Sequence, residues 1–222
     1  MMKKLIGLFM AVCLLAGCAV TQDSADAASS QDASSTQTGT TQTVAPLQEN
    51  ALENTTDAIL AVSLQEGDAY VDDNGQMQMK LTVYTYDKYD MVAIANLQIG
   101  DTIVTHAGAV EVTSKEKNAA GMISINGGQE EGGMDLISDD DGVYYEVGFN
   151  DVKSWYEVGT VTIPVSAEFV GLDNSDLDQG EVTIYPGDFL NGTVADYNFT
   201  PYNTTVRVED GKIVELNRSF TP

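Results

Sequence analysis

Cysteine is almost absent from this chain, with two in 222 residues, at positions 13 and 18. Beyond position 18 there is no disulfide and no thiolate chemistry, so a folded part must be held by its core. Histidine occurs once, as His106. That excludes intrachain zinc patterns built on two or three histidines or thiolates. A Ser-His-Asp triad needs only one histidine, but no Gly-x-Ser-x-Gly elbow accompanies it. The expectation for His106 is a partly exposed ring with a local hydrogen bond. A glycine-rich phosphate loop ahead of a helix is also missing. Basic residues number ten against 34 acidic ones, a net charge of −24. Such a surface repels phosphate backbones and anionic lipid head groups, which argues against nucleic acid as a partner. It leaves two readings, plain solubility or recognition of a cation or basic partner.

An apolar run covers residues 5–15, too short to span a bilayer. Lys3 and Lys4 precede it, and Leu15-Ala16-Gly17-Cys18 closes it. This resembles the lipobox of bacterial lipoproteins. The resemblance implies that residues 1–17 are a cleaved signal peptide and that Cys18 receives a diacylglycerol. It also implies a mature chain held by lipid at the cell membrane, facing outside the cytoplasm. It covers the first 18 positions and implies nothing about the activity of the rest.

Residues 18–55 read as a tether. Between positions 21 and 45 the chain is nearly all Ser, Thr, Gln, Ala and Asp, without aromatics. Such a stretch cannot bury enough apolar area to offset its ordering entropy.

From position 56 onward the periodicity is that of strands. Residues 76–84 alternate with apolar odd positions, and residues 160–169 and 143–149 alternate likewise. Short period-two runs punctuated by Gly, Asn and Asp predict an all-β domain over 56–222. Its antiparallel sheets would form a sandwich or barrel-like arrangement, as one unit or two small subdomains. Pro164 cannot donate to a ladder, so its strand is expected at an edge or bulged there. Residues 91–97 fit a helical turn or a strand. A hairpin with an Asp73-Asn74-Gly75 loop pairs Val71 with Met77 and Ala69 with Met79. For residues 204–216, a three-residue loop from Glu209 to Gly211 gives a coherent apolar face, pairing Val206 with Val214.

Acidic loops are the main candidates for chemistry. Asp173, Asp176 and Asp178 lie in a run with alternating oxygen donors, a pattern suited to Ca2+. The EF-hand spacing fails there, and Asp and Asn also favour turns for local reasons. Asp139-Asp140-Asp141 and the glycine-bracketed 127–133 are expected as turns or surface hairpin connections. Trp155 and Tyr156, with Tyr144 just before, form the densest aromatic cluster and are candidates for a ligand surface, against the alternative of core packing.

The sequence therefore predicts a lipid-anchored surface module that binds a glycan or protein ligand without catalysis. A carboxylate hydrolase acting on wall or dietary glycan is the alternative, and it needs two carboxyls roughly 5–10 Å apart in a cleft. A Ca2+-stabilised spacer is the third reading.

Overall fold

The described residues of this computed structural model are 41–47, 51–53, 55–148 and 152–221. The signal segment, Cys18 and the tether up to residue 40 lie outside them. In chain order the strands are β1 (Thr43–Val44), β2 (Ala58–Ser63), β3 (Ala69–Val71), β4 (Met77–Thr85) and β5 (Lys88–Asp90). Helix α1 (Met91–Asn96) follows, then β6 (Thr102–Thr105), β7 (Gly108–Glu111), β8 (Lys115–Lys117) and β9 (Ile123–Ile125). The chain ends with β10 (Met134–Ser138), β11 (Val143–Val147), β12 (Tyr156–Asn174), β13 (Val182–Ile184), α2 (Pro186–Asn191), β14 (Thr204–Glu209) and β15 (Lys212–Ser219). The all-β expectation holds. Among the described residues no helix is long and apolar enough to cross a membrane.

The long strand β12 sets the architecture. Its first half, from Tyr156 to Pro164, pairs antiparallel with β4, and from Val165 it pairs parallel with β15. Because β15, β14, β2 and β4 are paired in turn, the five strands close into a barrel. Pro164 sits where β12 exchanges one partner for the other, so its missing N–H falls at a break in the ladder. The alternation of residues 76–84 becomes the inward face: Met79, Leu81 and Val83 are all fully buried. Strands β3 and β13 extend the sheet at its two ends.

The two hairpins test the register rules. The first is as expected, with Ala69 opposite Met79 and Val71 opposite Met77, and Gly75 left-handed at φ 78°. The second differs from expectation. Val208 pairs with Ile213, so the turn is the two-residue Asp210-Gly211, with φ of 49° and 70°. A bulge then shifts the register, and Val206 meets Leu216 instead of Val214. The bulge puts Val206, Val208, Ile213 and Leu216 on the buried face despite the tight turn.

A second hydrophobic core lies in the same compact unit, which spans Thr40–Pro222. It belongs to the antiparallel sheet β5-β11-β10-β9-β8 and the small sheet β1-β6-β7. Tyr89, Ile94, Ile103, Ile125 and Leu136 are fully buried there. Polar side chains fasten it. Asp90 caps α1 by accepting from the Ala93 N–H at 2.8 Å, and this cap decides for the helical turn, over Met91–Asn96. Lys115 Nζ donates to the Ile94, Ala95 and Leu97 carbonyls at 2.7, 2.9 and 3.0 Å, satisfying the C-terminal end of that helix. Asp101 accepts from the Gln42 and Gln98 N–H groups, each at 2.7 Å.

The Asp101 contact shortens the expected tether. Gln42 is held by Asp101, β1 pairs parallel with β6, and Val44 is 3% exposed in the core. One buried valine and a strand's worth of backbone bonds anchor this piece, although its composition is that of a linker.

Candidate metal centre

Asp87 lies where the chain leaves β4 of the barrel and starts β5 of the second sheet. It is 2% exposed, an unusual place for a carboxylate without partners. His106 supplies two of them. Its backbone N–H donates to Asp87 Oδ2 at 2.7 Å, and its ring Nδ1 lies 3.0 Å from the same oxygen. His106 is at the tip of the β6–β7 hairpin, where Thr105 Oγ1 accepts from the Ala107 N–H and donates to the Gly108 carbonyl. Tyr156, the first residue of β12, donates its hydroxyl to Asp87 Oδ1 at 3.1 Å. Its ring stacks on the His106 ring with centroids 4.0 Å apart and planes 14° off parallel. A carboxylate facing Nδ1 favours the proton there while no ion is bound, and Nδ1 must give up that proton to become a ligand beside Asp87.

Glu146 on β11 completes the group. One ligand atom each of Asp87, His106 and Glu146 lies within 4.8 Å of the others. Burial, with a smaller push from Asp87, raises the Glu146 carboxyl above its ordinary range, while His106 pulls it back. Burial and Asp87 also push the Tyr156 hydroxyl up to about 12, so it is a donor at neutral pH. Three segments distant in sequence thus bring a nitrogen and two carboxylates together. A zinc ion has ligand bonds near 2.0–2.2 Å, so its ligands sit roughly 3.5 Å apart, and small side-chain rotations would close this group around one. The Tyr156 hydroxyl and the His106 N–H would then hold Asp87 from outside the coordination sphere.

The residue before each of these contributes to a different cluster. Tyr86, Tyr145 and Trp155 precede Asp87, Glu146 and Tyr156, and along extended chain successive side chains take opposite faces. Tyr86 meets Trp155 edge-on at 4.8 Å and Tyr145 at 5.8 Å. Lys153 Nζ donates to the Tyr86 hydroxyl at 2.9 Å and lies 4.3 Å from that ring's centroid. Trp155 is therefore a half-buried member of an aromatic and lysine cluster, and Tyr156 is beside the histidine.

The third expected ligand-surface residue, Tyr144, is 4% exposed and packs in the second core, opposite Tyr89. Two of the three expected calcium residues, Asp173 and Asp176, are otherwise engaged. Asp173 receives the Nε of Arg218 at 2.9 Å and a second bond from Nη2. Asp176 accepts from the Asp178 N–H at 2.9 Å and from Gln179 Nε2 at 2.6 Å, which is turn chemistry. Asp139 similarly accepts from the Asp141 and Val143 N–H groups. His106 is partly exposed as expected, but its ring bonds to Asp87, 19 positions away, and not locally; a lone histidine does not exclude a metal site when carboxylates supply the other donors. Asp87 and Glu146 carry no sequence signal, since neither lies in an acidic run.

Compared with known proteins, the chain matches no family model, no curated protein and no solved structure.

Proposed function

We propose that this protein is a lipid-anchored module outside the cytoplasm that binds a divalent metal ion through Asp87, His106 and Glu146, and that it acts by binding and not by catalysis. The observation that carries the proposal is the convergence of those three donor atoms within 4.8 Å. One imidazole with two carboxylates favours a borderline ion such as zinc over calcium, which takes six to eight oxygens. The lipid anchor follows from the Leu15-Ala16-Gly17-Cys18 resemblance, and stable anchoring needs more than one acyl chain on Cys18. Calcium at Asp173, Asp176 and Asp178 is less favoured, because the Arg218 fork and the loop's own amides already occupy the Asp173 and Asp176 carboxylates.

The glycan hydrolase reading keeps one point in its favour. Asp87 and Glu146 are as close as the two carboxyls of retaining glycosidases, roughly 5 Å, and Glu146 has the raised affinity for a proton that an acid catalyst needs. Against it, Asp87 is 2% exposed with both oxygens accepting hydrogen bonds, so it has no approach to an anomeric carbon.

The test is a melt of the full chain with zinc, calcium or magnesium. A ligand at a hundredfold excess over Kd adds about 2.7 kcal/mol. Zinc should raise the melting temperature, and His106→Ala and Glu146→Gln should abolish the rise. A rise with calcium alone, or with no ion, contradicts the metal assignment. Loss of incorporated fatty acid in Cys18→Ser checks the anchor separately.

A further inference from the structure

The far side of β12 carries a different feature. Residues between Asp173 and Thr221 line an open groove of about 960 Å³, within the size range of ligand sites. Its lining includes five aspartates, at 173, 176, 178, 188 and 196, and a single cation, Arg218. That cation is neutralised. Arg218 is 2% exposed, forks onto Asp173, donates to the Ala195 and Asp196 carbonyls, and lies over the Phe199 ring. The groove is therefore acidic without a free countercharge among its lining residues.

Apolar side chains are exposed beside those charges. Leu177 is 71% exposed, Tyr185 64% and Phe220 46%, and all three line the groove. Strand β13 lines it too and is terminal in the seven-stranded sheet, so its outer edge has no strand partner among the described residues. A free edge accepts an extended chain through main-chain hydrogen bonds, and alternate side chains of that chain select the sequence.

We propose that this groove docks an extended basic segment of another protein, one that combines Lys or Arg with apolar residues. Charge complementarity excludes a second copy of this acidic chain as the occupant. The exposed Leu177, Tyr185 and Phe220 set the site apart from one for a bare polyamine, which has no side chains to cover them. The groove is independent of the Asp87–His106–Glu146 group, so either assignment can fail alone.

The experiment uses the full-length chain in zwitterionic nanodiscs, with empty nanodiscs as blank, and a fluorescent peptide of alternating lysine and valine. The chain should bind it, with an affinity that falls as salt rises. The Asp176→Asn, Asp178→Asn double variant should weaken binding about tenfold, and Leu177→Ser about threefold. An Asp140→Asn, Asp141→Asn control removes the same charge from an exposed turn elsewhere and should change it less than about twofold. His106→Ala should leave it unchanged. Equal weakening by both double variants would reduce the effect to net charge and overturn the proposal. Competition by spermine as strong as that of unlabelled peptide, with no effect of Leu177→Ser, would assign the groove to polyamines and overturn it as well. So would an absence of binding.

Discussion

The barrel hides Met79, Leu81, Val83, Ile213 and Leu216 by closing its strands on one another, with few polar side chains inside. The neighbouring sheets around Tyr89 and Ile103 have strands of two to five residues and depend on polar side chains at each joint. Asp101 holds the backbone at residues 42 and 98, Lys115 closes α1, Asn126 accepts from Thr113 and Ser114, and Asp135 takes Ser124 and Gln129. Closure supplies stability where backbone pairing is complete. Where strands are short, carboxylates and amides do that work, and Asp87 is the member of this set that meets a histidine nitrogen and a second carboxylate. The contrast separates a scaffold from a region with binding chemistry.

The largest expected effect is at Arg218, a buried charge of the barrel. Arg218→Ala leaves Asp173 without its partner and should cost about 4 kcal/mol. Denaturant melts should show that loss, and an Arg218→Met, Asp173→Leu pair should recover most of it. A single-variant loss under about 1 kcal/mol would remove the ion pair from the barrel's supports. Next is Leu81→Ala, a fully buried site, for which about 3 kcal/mol is expected.

Lys115→Met should be milder, about 1–2 kcal/mol, because it frees three helix carbonyls at a partly exposed site. Amide exchange should speed up over 91–97 and stay unchanged in β12. If β12 responds equally, the two regions are not energetically distinct. The smallest effect concerns acid. Backbone N–H donation from Gln42 and Gln98, helped by Lys115 and opposed by burial, holds the Asp101 carboxyl below its ordinary value. Its contribution is therefore present above the unfolded value of about 3.9 and is lost as pH falls through the lower folded value. Acid below about pH 4 should free residues 42–44 before the barrel opens. Asp101→Asn should make their release independent of pH.

The barrel was largely legible in the sequence because long alternating strands write their inward face into every second residue. The 76–84 run and the Asp73-Asn74-Gly75 hairpin show this directly. The 204–216 register was not, since a bulge at Val214 obeys tertiary packing and leaves no local mark. Asp210-Gly211 alone suits a two-residue turn, and only the buried face of β14 decides how the ladder continues. In the second region, strands such as β8 and β9 have too few residues for a period to register. The site was less legible still. Asp87 and Glu146 are single acids among many, and what distinguishes them is that the β4–β5 connection, the β6–β7 turn and strand β11 meet. In the acidic runs that stand out in the sequence, Asp139, Asp173 and Asp176 accept from the backbone of their own turns.

The measurement closest to the central claim is hydrogen exchange on the full chain with and without zinc. The account predicts slower exchange over 85–88, 104–108 and 144–147, with no change in the barrel strands β14 and β15, and none anywhere in His106→Ala. Zinc-dependent protection confined to residues 173–181, or no protection at all, would contradict it.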